Sequence, residues 1–293
     1  MKRPLFIVIF AMIVLLFGRP VPGYSAGTWQ WLSSLKGQPS GRPMCMPSAL
    51  YVDNALERYY VVDARNNRLL SFDKDGEFLK EFNASGQLQA PFDMVKDRED
   101  RIWLVEKGRN SLTMIDLQNK AIEQHTLSDG GREVFPDRLE WENDIFYVLD
   151  KATGRVLALD RDLKVIGRFS CRDGASGFVD FKIRNGFLWA MEMGGKAVCC
   201  FSMDGKLVSS VAFENVSGFP YSFEVGPSGI FYVLDRHKGD VAVFDRNGQF
   251  KYRFLAQGQS RGRLYYPIEL KFDPWGRLCV VEEGNGRVEI FKR

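Results

Sequence analysis

A short apolar run closed by an acidic residue recurs six times along the chain: Tyr59–Asp63, Ile102–Glu106, Phe146–Asp150, Leu188–Glu192, Phe231–Asp235 and Leu278–Glu282. The acid returns at spacings of 43, 44, 42, 43 and 47 residues. Each copy continues through a polar loop into a second apolar run, such as Val241–Phe244, and then a tight turn such as Asp73-Lys74-Asp75-Gly76 or Met203-Asp204-Gly205. Asx-Gly pairs of this kind supply the left-handed backbone that closes hairpins. Upstream, five copies open on a proline (Pro47, Pro91, Pro136, Pro220, Pro267), and Phe178-Val179 stands in its place in the fourth. Four short strands of period-two character per copy, with no helical periodicity, predict an all-β propeller, because one such unit cannot bury its own faces and must stack on its neighbours.

Counting fixes the number of blades. Six copies of about 44 residues need roughly 264, and residues 27–293 number 267. The expected blades are 44–82, 90–127, 135–170, 178–213, 219–255 and 266–293. The sixth ends on its third strand, at Val288–Arg293. The segment 28–35, which alternates suitably, is expected to supply the missing strand and to close the ring. Hydrophobic residues at 45% and charged residues at 26% suit a chain with a buried core, and exclude a disordered, collagen-like or multi-spanning membrane protein.

The fullest copy, Tyr60-Val61-Val62-Asp63-Ala64-Arg65-Asn66-Asn67-Arg68-Leu69-Leu70-Ser71-Phe72-Asp73-Lys74-Asp75-Gly76, resembles the NHL repeat of six-bladed β-propellers. The resemblance runs through all six copies and weakens in the second and fourth, where Glu106 and Glu192 replace the aspartate. It implies a propeller that binds something; such propellers include scaffolds, nucleic-acid readers and a few enzymes, so fold alone assigns no function. A zinc lyase of the peptide-amidating type needs several histidines at the axis. This chain has two, His125 in an outer strand and His237 in a surface loop. A calcium-type lactonase needs axial oxygen ligands; Asp93, Asp180 and Glu269 stand at inner-strand starts, but Arg138 takes the equivalent place in the third copy.

Residues 1–26 read as a cleaved secretory signal peptide: Lys2 and Arg3, an apolar run from Leu5 to Phe17, then Gly23-Tyr24-Ser25-Ala26. The expected protein is therefore exported, to a periplasm or the outside of the cell; the alternative is an N-terminal membrane anchor left uncleaved, although 13 apolar residues fall short of the roughly 20 a spanning helix needs. Cleavage removes three basic residues and no acid, which takes Lys plus Arg from 40 to 37 against 37 acids. A neutral mature chain gives no ground for a nucleic-acid partner. The five cysteines Cys45, Cys171, Cys199, Cys200 and Cys279 form no metal-type or haem-type pair; in an exported protein they could be oxidised, and they read as small buried hydrophobes in preference to a bridge or redox site. No metal and no cofactor is expected.

Two sets of charged residues remain. In three copies an arginine follows the repeated acid by five residues (Asp63 with Arg68, Asp150 with Arg155, Glu282 with Arg287), a spacing that latches the loop between second and third strands, by ion pairing or by backbone N–H groups donated to the carboxylate. The second set is the ring Asp93, Arg138, Asp180 and Glu269. Charges there are costly if buried dry, so they are expected around a water-filled axis, as the place where a protein partner or small polar ligand docks. Loop cations Arg65, Lys107, Arg109, Lys151, Lys196 and Arg236 are expected on the same face. The function expected is a non-catalytic exported binding or scaffold protein; the alternative is a lactonase-like metal-dependent hydrolase using the axial carboxylates. Replacing Arg138 and Asp180 together is expected to abolish capture with little change in melting temperature.

Overall fold

A computed structural model describes residues 29–37, 41–171, 177–214, 216 and 218–293; the proposed signal peptide, and Thr28 of the segment expected to close the ring, lie outside them. The described residues form an all-β, six-bladed propeller of six four-stranded antiparallel sheets. The first blade runs Pro47–Asp53, Arg58–Asp63, Arg68–Asp73 and Phe78–Phe82, and the next four repeat that order. The sixth is ordered Gln30–Leu35, Arg287–Lys292, Leu278–Glu282 and Pro267–Phe272, so its outer strand comes from the other end of the chain.

That strand is held by more than its ladder. Leu35 lies opposite Val288 and is fully buried. The buried Glu289 carboxylate accepts from Trp31 Nε1 at 2.7 Å and Ser34 Oγ at 2.5 Å, and Arg287 sits 2.8 Å from its other oxygen. Trp29 stacks on Phe254 with ring centres 5.7 Å apart.

The core lies between blades. Six apolar clusters each join one blade to the next, as where Ala49, Val62 and Leu69 of the first meet Met94, Ile102 and Leu104 of the second. Inner-strand residues Leu50, Met94, Leu139, Phe181, Phe223 and Leu270 are all buried. In every blade the pairing of first and second strands slips between the opening residue and the residue two further on, for example between Pro91 and Asp93. A bulge re-aims the side chain that follows it, and here that side chain is the one nearest the axis.

One cysteine expectation is corrected. Cys171 and Cys199 form a disulfide, with Cα atoms 6.1 Å apart, because the third blade's outer strand ends beside the third strand of the fourth. Their separation of 28 residues carries no sequence signal for that pairing. Cys200 and Cys279 are buried thiols, and Cys45 is an exposed one.

Candidate binding site at the mouth of the propeller

The innermost strand of each blade has no neighbour on its axial side, so backbone N–H groups there need partners from side chains. The axial residues supply them. Glu269 accepts from Leu50 N at 2.7 Å, Asp93 from Leu139 N at 3.0 Å, Asp180 from Phe223 N at 3.2 Å, and Ser222 Oγ from Leu270 N at 3.2 Å. Each of these bonds runs from one blade's side chain to the next blade's backbone. At the two remaining junctions the preceding residue is Ala49, which has no acceptor, or Arg138, which has only donors. There Met94 N donates to Asp93 itself and Phe181 N to Asp180 itself, at 2.8 and 2.9 Å. All six amides are thus satisfied.

The inner-strand charges are also paired, within a strand or between blades. Lys182 sits 3.2 Å from Asp180 and Lys271 3.4 Å from Glu269. Arg184 grips Glu224 with two bonds, at 2.9 and 2.6 Å. Arg138 reaches across from the third blade and donates to Ile268 O at 3.0 Å and Ser48 O at 3.5 Å. The expectation of a water-filled axis therefore needs correcting: Asp93, Arg138, Asp180 and Glu269 are each at most 6% exposed and are engaged by backbone or by one another. Against the cost of burial, Asp180, Asp93 and Glu269 hold the Arg138 pKa above its ordinary value. Burial, then the charge of Glu269, pushes Asp93 up to about 7, whereas Lys271, Lys182 and Arg138 outweigh burial and hold Glu269 below the usual carboxylate range.

A folded-state pKa raised above the unfolded value means that the contribution of Asp93 is fully present below about pH 4 and is lost as pH rises through about 7. Asp93→Asn should therefore flatten the fall in stability between those limits relative to wild type. Denaturant melts of both proteins at stepped pH check this; parallel curves would refute it.

The repeated acids do a related task opposite each blade's opening residue. Asp63, Glu106, Asp150, Asp235 and Glu282 each accept a backbone N–H from the segment entering their own blade, as Cys45 N does to Asp63 at 2.8 Å and Phe135 N to Asp150 at 3.0 Å. Arg68 adds an ion pair to Asp63 at 2.6 Å and Arg287 one to Glu282 at 2.8 Å, all four residues being buried. The third pair departs from expectation: Arg132 reaches Asp150, at 3.3 Å, while Arg155 lies opposite Asp150 in the ladder but is exposed. Asp150 already accepts from Phe135 N, Ala152 N and Thr153 Oγ1, which leaves little for a further donor.

With the axis committed to holding blades, the open feature is its mouth. Residues flanking each blade's opening position gather there. Those before it include Met46, Phe135, Phe219 and Tyr266, all at least 39% exposed. Those after it include Ser48, Phe92, Asp137 and Tyr221. Met46, Ala90 and Tyr266 hold left-handed backbone, with φ near 50°. Cations interleave with the rings: Lys107 Nζ stands 3.0 Å from the Phe92 ring centre and 2.6 Å from Asp137, and Arg236 lies 5.2 Å from Tyr221 and 2.5 Å from Glu283. Burial lowers the Lys107 pKa. His237 stacks on Phe219 at 4.8 Å, while His125 packs against Trp103 on an outer strand.

Between the first and second blades this mouth deepens into a cavity of about 480 Å³ lined by Met46, Ser48, Ala64, Arg65, Asn67, Gln89, Ala90, Phe92, Gly108 and Glu283. Its floor is unusual. The Ser48 hydroxyl is buried with no hydrogen-bond partner, and the buried Nε of Arg138, whose guanidinium donates to Ser48 O, has none either. Arg138 lies 5.1 Å from the Phe92 ring. Of these residues only Arg65 and Arg138 stood out in the sequence. Ser48, Phe92 and Met46 were missed, although their places beside the opening proline could have flagged them as a ring.

No family model matches the chain. Its fold is that of several solved propellers. A catalytically inactive variant of virginiamycin B lyase from Staphylococcus aureus with quinupristin matches with a TM-score of 0.63 at 16% identity, over 84% of this chain and 80% of that one. A gluconolactonase from Xanthomonas campestris gives 0.62 at 19% identity, over 84% and 85%. The WD40 β-propeller domain of Doa1 gives 0.58 at 13%, over 90% and 97%. The six-bladed propeller fold has enzymes among its structural neighbours, and at these identities the likeness is one of fold.

Proposed function

We propose that the protein is an exported binding propeller of NHL-like repeats that takes a small anionic ligand with an apolar body in the mouth cavity, without catalysis. The cavity lining supports this most directly, since the exposed cation Arg65 stands on it beside the apolar Phe92 and Met46. The walls, Phe92 and Met46, suit an apolar body, and 480 Å³ suits a small molecule. Around the mouth Arg65, Lys107, Lys151 and Arg236 face Asp137 and Glu283, an excess of positive charge that favours an anion.

The lactonase-like alternative takes its support from the gluconolactonase neighbour. The donor geometry speaks against it: among the described residues, Asp93, Asp180 and Glu269 do not bring three oxygens within 4.8 Å of one another. Each already accepts at least one backbone N–H group, and Arg138 puts a cation among them.

Calorimetric titration with phenylacetate and its neutral amide tests the proposal. Phenylacetate should bind one to one and more tightly than the amide, and Arg65→Glu should weaken it roughly tenfold. Equal binding of acid and amide, or an Arg65→Glu variant that binds as well as wild type, would overturn it.

A further inference from the structure

Away from the mouth cavity, the sulfur atoms of Cys171 and Cys199 and a carboxylate oxygen of Glu192 all lie within 4.8 Å of one another, the one such group of metal-ligating side chains among the described residues. Three separate elements bring them together. Cys171 follows the third blade's outer strand, Glu192 ends the fourth blade's second strand, and Cys199 lies in its third strand. Glu192 is also the odd member of the repeated acids. The other five are at most 3% exposed, whereas Glu192 is half-buried, as is Cys171; Cys199 below them is fully buried. The cluster therefore has a closed floor and an open side.

We propose that reduction of the Cys171–Cys199 disulfide converts this junction into a zinc-class metal site with two thiolate ligands, one carboxylate ligand and an open fourth position. Two sulfurs and an oxygen from protein suit a borderline-soft divalent ion, which takes four tetrahedral ligands. A dithiol reductant would give two electrons and two protons to the disulfide and itself become a disulfide, leaving two thiols. Binding of the ion then releases those two protons to solvent, since thiolates are the ligands. The carboxylate binds as it stands. A disulfide oxidant reverses the sequence: it takes two electrons from the two thiolates and two protons from solvent and becomes a dithiol, the sulfurs join, the ion leaves, and the third and fourth blades are again covalently linked.

The test uses the full mature chain, reduced with a phosphine and freed of it, with Co²⁺ as the probe. Reduced protein should take up one Co²⁺ with the near-ultraviolet absorption of a thiolate-bound ion, and oxidised protein none. Cys171→Ser and Cys199→Ser should each lose that absorption. Glu192→Gln, which keeps both sulfurs and should still form the disulfide, should weaken binding at least as much as loss of an outer-shell partner does, on the order of 10- to 100-fold. Absence of the absorption from reduced wild type overturns the proposal. So does its persistence in either serine variant, which would assign it to Cys45 or Cys200, or loss of the folded circular-dichroism spectrum on reduction.

Discussion

Asp180→Ala is expected to lower the unfolding free energy by about 3–5 kcal/mol, the cost of removing one partner from a buried charged pair. Four groups depend on that carboxylate: the backbone N–H groups of Phe181 and Phe223, the Ser222 hydroxyl at 2.6 Å, and the Lys182 ammonium. Lys182 is 3% exposed and would lose its ion-pair partner while remaining buried. Ser222→Ala removes one acceptor and leaves the Leu270 N–H unpaired, so a smaller loss of about 1–3 kcal/mol is expected. Equilibrium denaturation of the three proteins checks the ranking. An Asp180→Ala variant within experimental error of wild type would show that the axial network holds nothing together. The double replacement of Arg138 and Asp180 is accordingly expected to be strongly destabilising, in contrast to the small change in melting temperature anticipated from the sequence.

Deleting residues 29–35 is expected to cost still more. It strips the outer strand from the sixth blade and uncovers the ladder edge of Val288–Phe291. Burial of Leu35 and the packing of Trp29 are lost, and Glu289 loses both its facing residue Ser34 and two donors. Together these amount to about 5 kcal/mol or more, or about ten degrees or more of melting temperature for a chain of this size. The exposed edge should also promote self-association. Calorimetry with light scattering measures both, and an unchanged, monomeric melt would refute the proposal that this strand fastens the ring.

Fold and site differed in how far they could be seen from sequence. The repeat spacing and the turn residues carry the blade count because they are local: an apolar run closed by an acid recurs in all six copies, and an Asx-Gly turn in three of them. The partner of Asp63 was legible for the same reason, since Arg68 stands opposite it across a short loop. Arg132, which reaches Asp150 from a different segment, was not. The axial charges were located correctly on the inner strands, but their burial was not foreseen. Sequence alone does not show that the bulge after each opening residue turns the side chain toward the next blade's unpaired N–H. The cavity was least legible, because it is built from residues of different blades and loops, among them Ser48, Phe92 and Glu283.

The division of labour between axis and mouth is tested most directly by one ligand-dependent thermal melt run on wild type, Ser222→Ala and Arg65→Glu, each with and without saturating phenylacetate. Ser222→Ala should melt lower than wild type yet keep the full ligand-induced rise, because its hydroxyl serves the backbone. Arg65→Glu should melt with wild type in the absence of ligand and lose most of the rise, because an exposed rim cation contributes to binding and little to folding. The opposite pattern, a Ser222→Ala protein that no longer responds to ligand alongside an Arg65→Glu protein that responds in full, would place the binding site on the axis and contradict the account.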